Sequence, residues 1–399
     1  MEKNNSKNDL ESLLKKVASK TDKQRREVIY GVYDSARQPL HIRLDDFFID
    51  HSRVPLQEKA YFFHLLAVMI DAGVPLVQAL KMLANRSGSE RFYRVLTTVA
   101  FNVIQGKKLS ESMARFPDVF GEMEVGIVRA GEAAGNLDKM LFRLSDQLDK
   151  SHELQMKLVT AAIYPIAVLV VLLTVVIGML IWVVPSLTSL LIQGGLKESE
   201  FPPATRLLLG VSGLVSGYWW ALLLGGVILY LILRVYIASE NGRYRWDLFR
   251  LKLPIIGNLM RRVMVLRFIS TLGILIEAGL PVVQALTIIA TSLSSEIYRL
   301  KVWEVIARVQ QGERISEALM DAPFLFPETV TQMLAVAEQS AAIGSISEKV
   351  GAHYDREIDN SLKRLTSLFE PVMIVFVGFT VAILALAILT PIFRLSQLV

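Results

Sequence analysis

The sequence predicts an all-α membrane protein with two homologous cytoplasmic helical-bundle domains and three transmembrane helices. Three observations carry that prediction. Of 399 residues, 52% are hydrophobic, more than a soluble globular chain usually holds. Residues 158–196, 207–233 and 371–393 contain no Asp, Glu, Lys or Arg, and each run reaches the roughly 20 apolar residues a helix needs to cross the hydrocarbon core. Finally, a charged, helix-patterned region occurs twice, once before the first apolar run and once before the third.

In chain order, residues 1–55 are a charged N-terminal extension. Its first 27 residues have no apolar run behind a basic start, so no cleavable signal peptide is expected. Residues 56–157 form the first helical bundle and 158–190 the first span, which Gly194 and Gly195 end. An external loop (191–206) leads to the second span (207–233), and a basic connector (234–261) to the second bundle (262–370). The third span (371–393) and an external tail (394–399) complete the chain. Orientation follows from Lys and Arg near the span ends. The first loop carries only Lys197 and Arg206, whereas the other side carries Arg234, Arg243, Arg245, Arg250, Lys252, Arg261 and Arg262. That side is cytoplasmic, which puts the N-terminus and both bundles inside and the C-terminus outside.

The two bundles repeat at an offset of 206. "AGVPLVQAL" from Ala72 returns as "AGLPVVQAL" from Ala278, "QGKKLSESM" from Gln105 as "QGERISEAL" from Gln311, and Pro117, Phe120, Glu132, Pro165 and Pro185 as Pro323, Phe326, Glu338, Pro371 and Pro391. A bundle and its following span are duplicated, and the second span is the insertion that keeps both copies on one side.

The nonamer predicts a tight helix–turn–helix corner. Gly73 and Gly279 supply a left-handed residue at a helix end, and Pro75 and Pro281 fit the start of the next helix, whose buried stripe is Leu76, Ala79, Leu80 and Leu83. Gly106 and Gly312 close a third helix. Ser110 and Ser316 are suited to cap a short fourth, with Glu111 and Glu317 in its first turn. Pro117 and Pro323 stop it. A fifth helix ends at "RAGEAAGN", where Asn136 is placed to cap a sixth that carries Leu137, Leu141, Leu144 and Leu148 on one face and runs on into the first span.

Catalytic chemistry has little to stand on. Without cysteine there are no disulfides or thiolate sites. The five histidines show no zinc spacing, and "QGKKL" is not a phosphate loop. No metal or cofactor is expected. The net charge of +5 is explained by topology and membrane lipid, so direct nucleic-acid binding is not implied. The spans lack the ionisable residues of pumps. In the second span, Gly213 and Gly217 form a G-x-x-x-G that favours close helix–helix packing, and "YWW" at 218–220 is expected to pack. At the base of the helix entering span one, Glu132 admits two readings. It is a capping carboxylate, or, with Arg129 one turn before it and Glu338 as its repeat, a charged partner contact.

The doubled "AG-x-P-x-x-QAL" corner, the doubled "QG…SE" segment, "RAGEAAGNLDKML" from Arg129, Tyr164-Pro165 and Glu370-Pro371 at the spans, and "LKLPIIGNL" from Leu251 together resemble the type II secretion system protein F family, which includes PilC-like platform proteins of type IV pili. The resemblance covers roughly residues 57–395. It implies two cytoplasmic bundles, three spans, self-association as a homo-oligomer, and an inner-membrane platform between a cytoplasmic hexameric ATPase, pilin-like subunits and other inner-membrane assembly proteins. Where the family repeats G-E-x-x-G, this chain has Ala337-Glu338 and then "QSAAIGS", which predicts a second turn about three residues longer. A membrane-anchored adaptor without a filament is the alternative, with a membrane enzyme or transporter behind it.

Overall fold

The computed structural model describes residues 29–30, 40–193 and 203–395. The expected external positions Gly195 and Lys197, the last four residues and most of the N-terminal extension lie outside the described residues. Every regular element among the described residues is helical. Packing divides the chain into two compact units: Met1–His152 with Ile274–Ser292, and Glu153–Gly273 with Leu293–Val399.

The first unit begins with α1 (Leu40–Asp50), followed by α2 (Leu56–Asp71), α3 (Leu76–Arg86), α4 (Glu90–Ile104), α5 (Leu109–Met113), α6 (Glu122–Ala134) and the start of α7 (Leu137–Gly178). The α2–α3 corner turns on Gly73 at φ +79°, which an L side chain rarely adopts. There the Gly73 and Val74 amides donate to Ile70 and Met69 at 2.9 and 2.8 Å, closing the end of α2. The turned helix buries Ala79, Leu80 and Leu83. Phe62, Phe92 and Phe120 are also buried, with their rings meeting edge-on and tilted; each such side chain contributes about 1.5–3 kcal/mol by leaving water. Outside this core, α1 lies on α4, where Asp46 pairs with the buried Arg94 at 2.8 Å.

The repeat resumes with α10 (Glu240–Lys252), α11 (Ile256–Glu277), α12 (Val282–Ser292), α13 (Glu296–Gln310), α14 (Ile315–Met320), α15 (Glu328–Gln339) and α16 (Ile343–Leu395). Gly279 stands at the same φ of +79° as Gly73. The second unit reproduces the aromatic centre as Phe268, Tyr298 and Phe326. One exchange shows how the two cores diverged. In the first, Lys59 Nζ donates to the Val119 carbonyl at 2.9 Å and pairs with the buried Glu124 at 2.6 Å, while Glu124 also accepts from the Gly121 amide. In the second, the matching positions are Val265, Val330 and Pro327. Tyr298, at the position of Phe92, donates its hydroxyl to the Leu325 carbonyl at 2.7 Å in place of the lysine. Pro327 has no amide to satisfy, so no carboxylate is needed.

The packing does not follow the repeat everywhere. Helix α12 seats on α6 of the first unit, where Ile288 occupies the notch left by Gly126. A Cβ added at Gly126 would stand 2.6 Å from Ile288 Cδ1. The repeat keeps neither partner: Gly126 corresponds to Gln332, and Ile288 to Met82, which is exposed.

The second turn differs from expectation. It is no longer than the first, because α7 starts at Leu137 and α16 at Ile343, again 206 apart. Ala341 takes the left-handed position of Gly135, at φ +50° against +70°. The hydrogen bonds of the turn are also shared, Asn136 N to Gly131 O at 3.1 Å and Ala342 N to Ala337 O at 2.9 Å. Backbone pairing at the end of α15 therefore outweighs the cost of a side chain in that region. The expected Asn136 cap is not made, since its Oδ1 is buried without a partner.

Among the described residues, two helices are long and apolar enough to cross a membrane, Leu137–Ser186 and Ile343–Ala382, and three if a bent pair counts as one span. The first continues from α7 through a π segment (Met179–Val183) into α8 (Val184–Gln193). Pro185 explains the π segment. In that register the Leu180 carbonyl would pair with residue 185, which has no N–H, and the buried Ser212 hydroxyl donates to it instead at 2.5 Å. Ser212 lies on α9 (Pro203–Ala238), the bent pair, whose halves Leu209–Ala221 and Leu223–Ala238 meet at 62°. Within the first half, just after the small pair Ser216-Gly217, Tyr218 departs from helical geometry. Tyr218, Trp219 and Trp220, expected to pack, are each more than half exposed, so the described residues of this chain do not bury them.

Candidate interaction sites

The carboxylate of Glu132 is bound inside the first unit. From the last turn of α6 it accepts the Leu109 amide at 2.6 Å, the Ser110 amide at 3.3 Å and the Ser110 hydroxyl at 2.5 Å. Glu338 does the same from α15, accepting from the Ile315 amide at 2.7 Å, the Ser316 amide at 3.0 Å and the Ser316 hydroxyl at 2.5 Å. A short helix leaves its first amides without partners, and its dipole favours a negative charge there. Residues 22 and 23 positions away thus supply the cap expected of Ser110 and Ser316. The serines sit one position inside the helix, where they donate to the carboxylate. This geometry explains the doubled "QG…SE" segment.

Arg129 is placed differently. It is exposed on α6, its repeat partner is Ala335, and it makes no ion pair among the described residues. Gly213 and Gly217 are also open, with no atom within 4 Å of a Cβ added at either. Among the described residues, no helix fills their notch.

Sequence reasoning missed a charge cluster in the second unit. Lys157 on α7 lies 3.2 Å from Asp355 Oδ1 and Asp359 Oδ1 on α16, and 3.2 Å from Glu153 on its own helix. Burial works to lower the affinity of Lys157 for its proton, but hydrogen bonds to Asp359, Asp355 and Glu153 outweigh it and raise the pKa. The signal was present in the sequence as acid, acid, base at intervals of four on both helices. An open groove of about 560 Å³ is lined by Pro55, Gln57, Glu58, Tyr61, His64 and Asp149. Its Glu58 is already committed to Ser87 Oγ and the Ser89 amide. Among the described residues, no group of three or more His, Asp or Glu side chains is arranged to hold a metal.

Comparison with known proteins matches the profile of type II secretion system (T2SS), protein F, at residues 62–185 and again at 268–391. The two matches are themselves 206 apart. Type IV pilus assembly protein PilC of Thermus thermophilus is 34% identical over 340 residues, covering 85% of this chain and 83% of that protein. Type II secretion system protein F of Pseudomonas aeruginosa is 33% identical, covering 84% and 82%, and type IV pilus assembly protein PilC of Myxococcus xanthus 32%, covering 84% and 79%.

Proposed function

The chain belongs to the type II secretion system protein F family, and from that premise we propose that it is the inner-membrane platform of a type IV pilus or type II secretion machine. It couples a cytoplasmic hexameric assembly ATPase to the insertion of pilin-like subunits into a filament, and it performs no chemistry of its own. The observation that supports this best is the continuity of α7 and α16. Each starts at the base of a bundle and runs on for 42 and 53 residues without a loop, through an apolar stretch long enough to cross a membrane. A helix transmits displacement along its axis, so a push on a bundle reaches its span.

Both bundles and the N-terminus face the cytoplasm, and residues 194–206 and Val399 face outward. Reporter fusions at Gly195 and Val399 test this; a cytoplasmic signal at Val399 would remove one span. Arg129 carries the partner contact, while Glu132 holds the short helix of its own unit and Glu338 that of the second unit. Arg129→Glu, an exposed change that should alter stability by no more than about 0.5 kcal/mol, should leave the chain inserted and its bundles protease-resistant. It should abolish filament assembly or secretion, and a compensating reversal on the partner should restore it. Normal assembly by this variant would remove Arg129 from the contact.

A further inference from the structure

Helix α10 joins α9 to the second module, and its two long faces are unlike. One face is used. Asp247 is 1% exposed and accepts the Glu296 amide at 2.7 Å, which caps α13; Leu251 is buried on the same side, and Arg243 lies 3.8 Å from Glu296. The acidic residues of α10, Glu240 and Asp247, are seven apart and share this register. Arg245, Phe249 and Lys252 fall within about 40° of the line opposite Asp247 on the helical wheel. All three are exposed, Phe249 by 56%. Arg250 pairs with Asp247 at the edge of the used face, whereas neither Arg245 nor Lys252 forms an ion pair among the described residues. The Trp246 and Phe249 rings stack with centroids 5.9 Å apart, and Ile255 and Ile256 stand exposed at the turn that follows. The free face therefore mixes unpaired cations with apolar rings.

The start of α10 is fixed against the end of α9. Ser239 is extended, accepts the Gly242 amide at 3.2 Å and donates to the Tyr236 carbonyl at 2.7 Å. A Cβ at Gly242 would stand 1.8 Å from the Tyr236 oxygen, so this turn admits no side chain. The uncharged run ends at Leu233 and α9 at Ala238, a difference of about 8 Å of helix. The headgroup layer is roughly 5–8 Å deep on each side of the hydrocarbon, so α10 leaves the span where that layer meets water. We propose that the free face of α10 docks on an anionic phospholipid surface. Arg245 and Lys252 meet headgroup phosphates, and the Trp246 and Phe249 rings sit at headgroup level, as aromatic side chains do at membrane interfaces. The second module is then held to the bilayer by its connector as well as by its spans.

The first module has a comparable arm without this face. Helix α1 lies on α4 as α10 lies on α13, but its exposed residues include Asp45, Phe47 and Phe48. It follows a charged stretch rather than an apolar run. Aromatic residues are common to both arms, and the sign of the exposed charge is basic only on the arm that leaves a span. An acidic protein segment would satisfy the cations, but it gives no reason for the face to begin at the headgroup layer.

The inference requires the second span and goes beyond the platform reading, which needs no lipid contact. The chain has no cysteine, so an introduced one is labelled without background. Phe249→Cys in the full chain, carrying an apolar bimane in place of the ring, is reconstituted into vesicles that contain phosphatidylcholine spin-labelled at the headgroup. Docking is read as quenching. Adding about 30% phosphatidylglycerol to phosphatidylcholine should raise the ratio of quenched to unquenched label about 25-fold, about fivefold for each cation. Salt at about 0.5 M should reverse the rise, because screening then acts within a few ångströms. Arg245→Gln with Lys252→Gln should abolish the response to phosphatidylglycerol, and Arg245→Lys should keep it. Equal quenching with and without phosphatidylglycerol overturns the docking, as does a response that the double glutamine variant retains. Indifference to phosphatidylglycerol, together with lost filament assembly in cells carrying the double variant, would assign the face to an acidic protein and also overturn it. The lipid and salt arms keep both cations, so they decide even where the glutamine variants fail to insert. Filaments play no part in the vesicle measurement, so a docked face in a chain that supports no filament would sink the platform reading alone.

Discussion

Replacing Glu132 with Ala removes the side chain that caps α5 among the described residues. Three hydrogen bonds go with it, two from backbone amides and one from the Ser110 hydroxyl. Loss of a capping side chain costs about 0.5–2 kcal/mol, and hydrogen bonds to a charged group are each worth roughly 1.5–3 kcal/mol. The carboxylate is half-buried and water replaces part of what is lost, so the sum falls to about 2–4 kcal/mol. Glu132→Gln keeps one acceptor oxygen and should cost about half as much. Ser110→Ala should couple to Glu132→Ala by roughly 0.5–3 kcal/mol in a double-mutant cycle, as neighbours in one network do. The assay is the urea midpoint for protease resistance of the bundles in the full-length chain, read beside filament assembly. Glu338→Ala should shift that midpoint similarly, because its cap has the same donors. A Glu132→Ala chain with the parental midpoint but no filaments would refute the reasoning, since the carboxylate would then be working on a partner rather than on α5.

Three further outcomes follow from the repeat and its exceptions. Glu124→Val alone should destabilise the first unit by about 3 kcal/mol, because it leaves the half-buried Lys59 without its carboxylate and the Gly121 amide without its acceptor. Adding Lys59→Val, Gly121→Pro and Phe92→Tyr, the residues of the second unit, should recover most of that loss in the same urea measurement. Ala341→Gly should stabilise the second turn by about 0.5–1 kcal/mol, the left-handed strain of roughly 1–2 kcal/mol less the added freedom of the unfolded glycine; Gly135→Ala should do the opposite. Gly213→Leu with Gly217→Leu should leave insertion intact, since both positions are open. It should lower copy-to-copy crosslinking, because leucine holds helix backbones apart, and unchanged yields would assign the notch no contact between copies.

How much of this was legible depended on whether the signal was local. The corner at Gly73 and Gly279 was readable because a left-handed residue followed by proline restricts the chain within three positions. The continuity of α7 into the first span was readable from Leu137 onward, where the apolar pattern runs into the span with few breaks. Glu132 was only half readable, since its partners Leu109 and Ser110 lie 23 and 22 residues away and the sequence does not say which way a carboxylate turns. The second turn was not readable because glycine is only a local preference at its left-handed position, which Ala341 fills, whereas the hydrogen bonds closing α15 decide the turn. The seat of α12 on α6 was hidden by the repeat itself, which suggests that each module buries its own helices. Only the mismatched pairs Gly126/Gln332 and Ile288/Met82 point to it.

That seat also has a consequence in time. The notch at Gly126 is made early in synthesis, yet the helix that fills it spans Val282–Ser292. Ribosomes add roughly 5–20 residues per second, so the notch waits on the order of 10–30 seconds for Ile288. Two apolar runs enter the membrane during that interval. The nascent first bundle therefore leaves the notch at Gly126 unfilled until Ile288 is made. A chain released after the second span would keep that notch unfilled, because the helix that occupies it lies beyond that point.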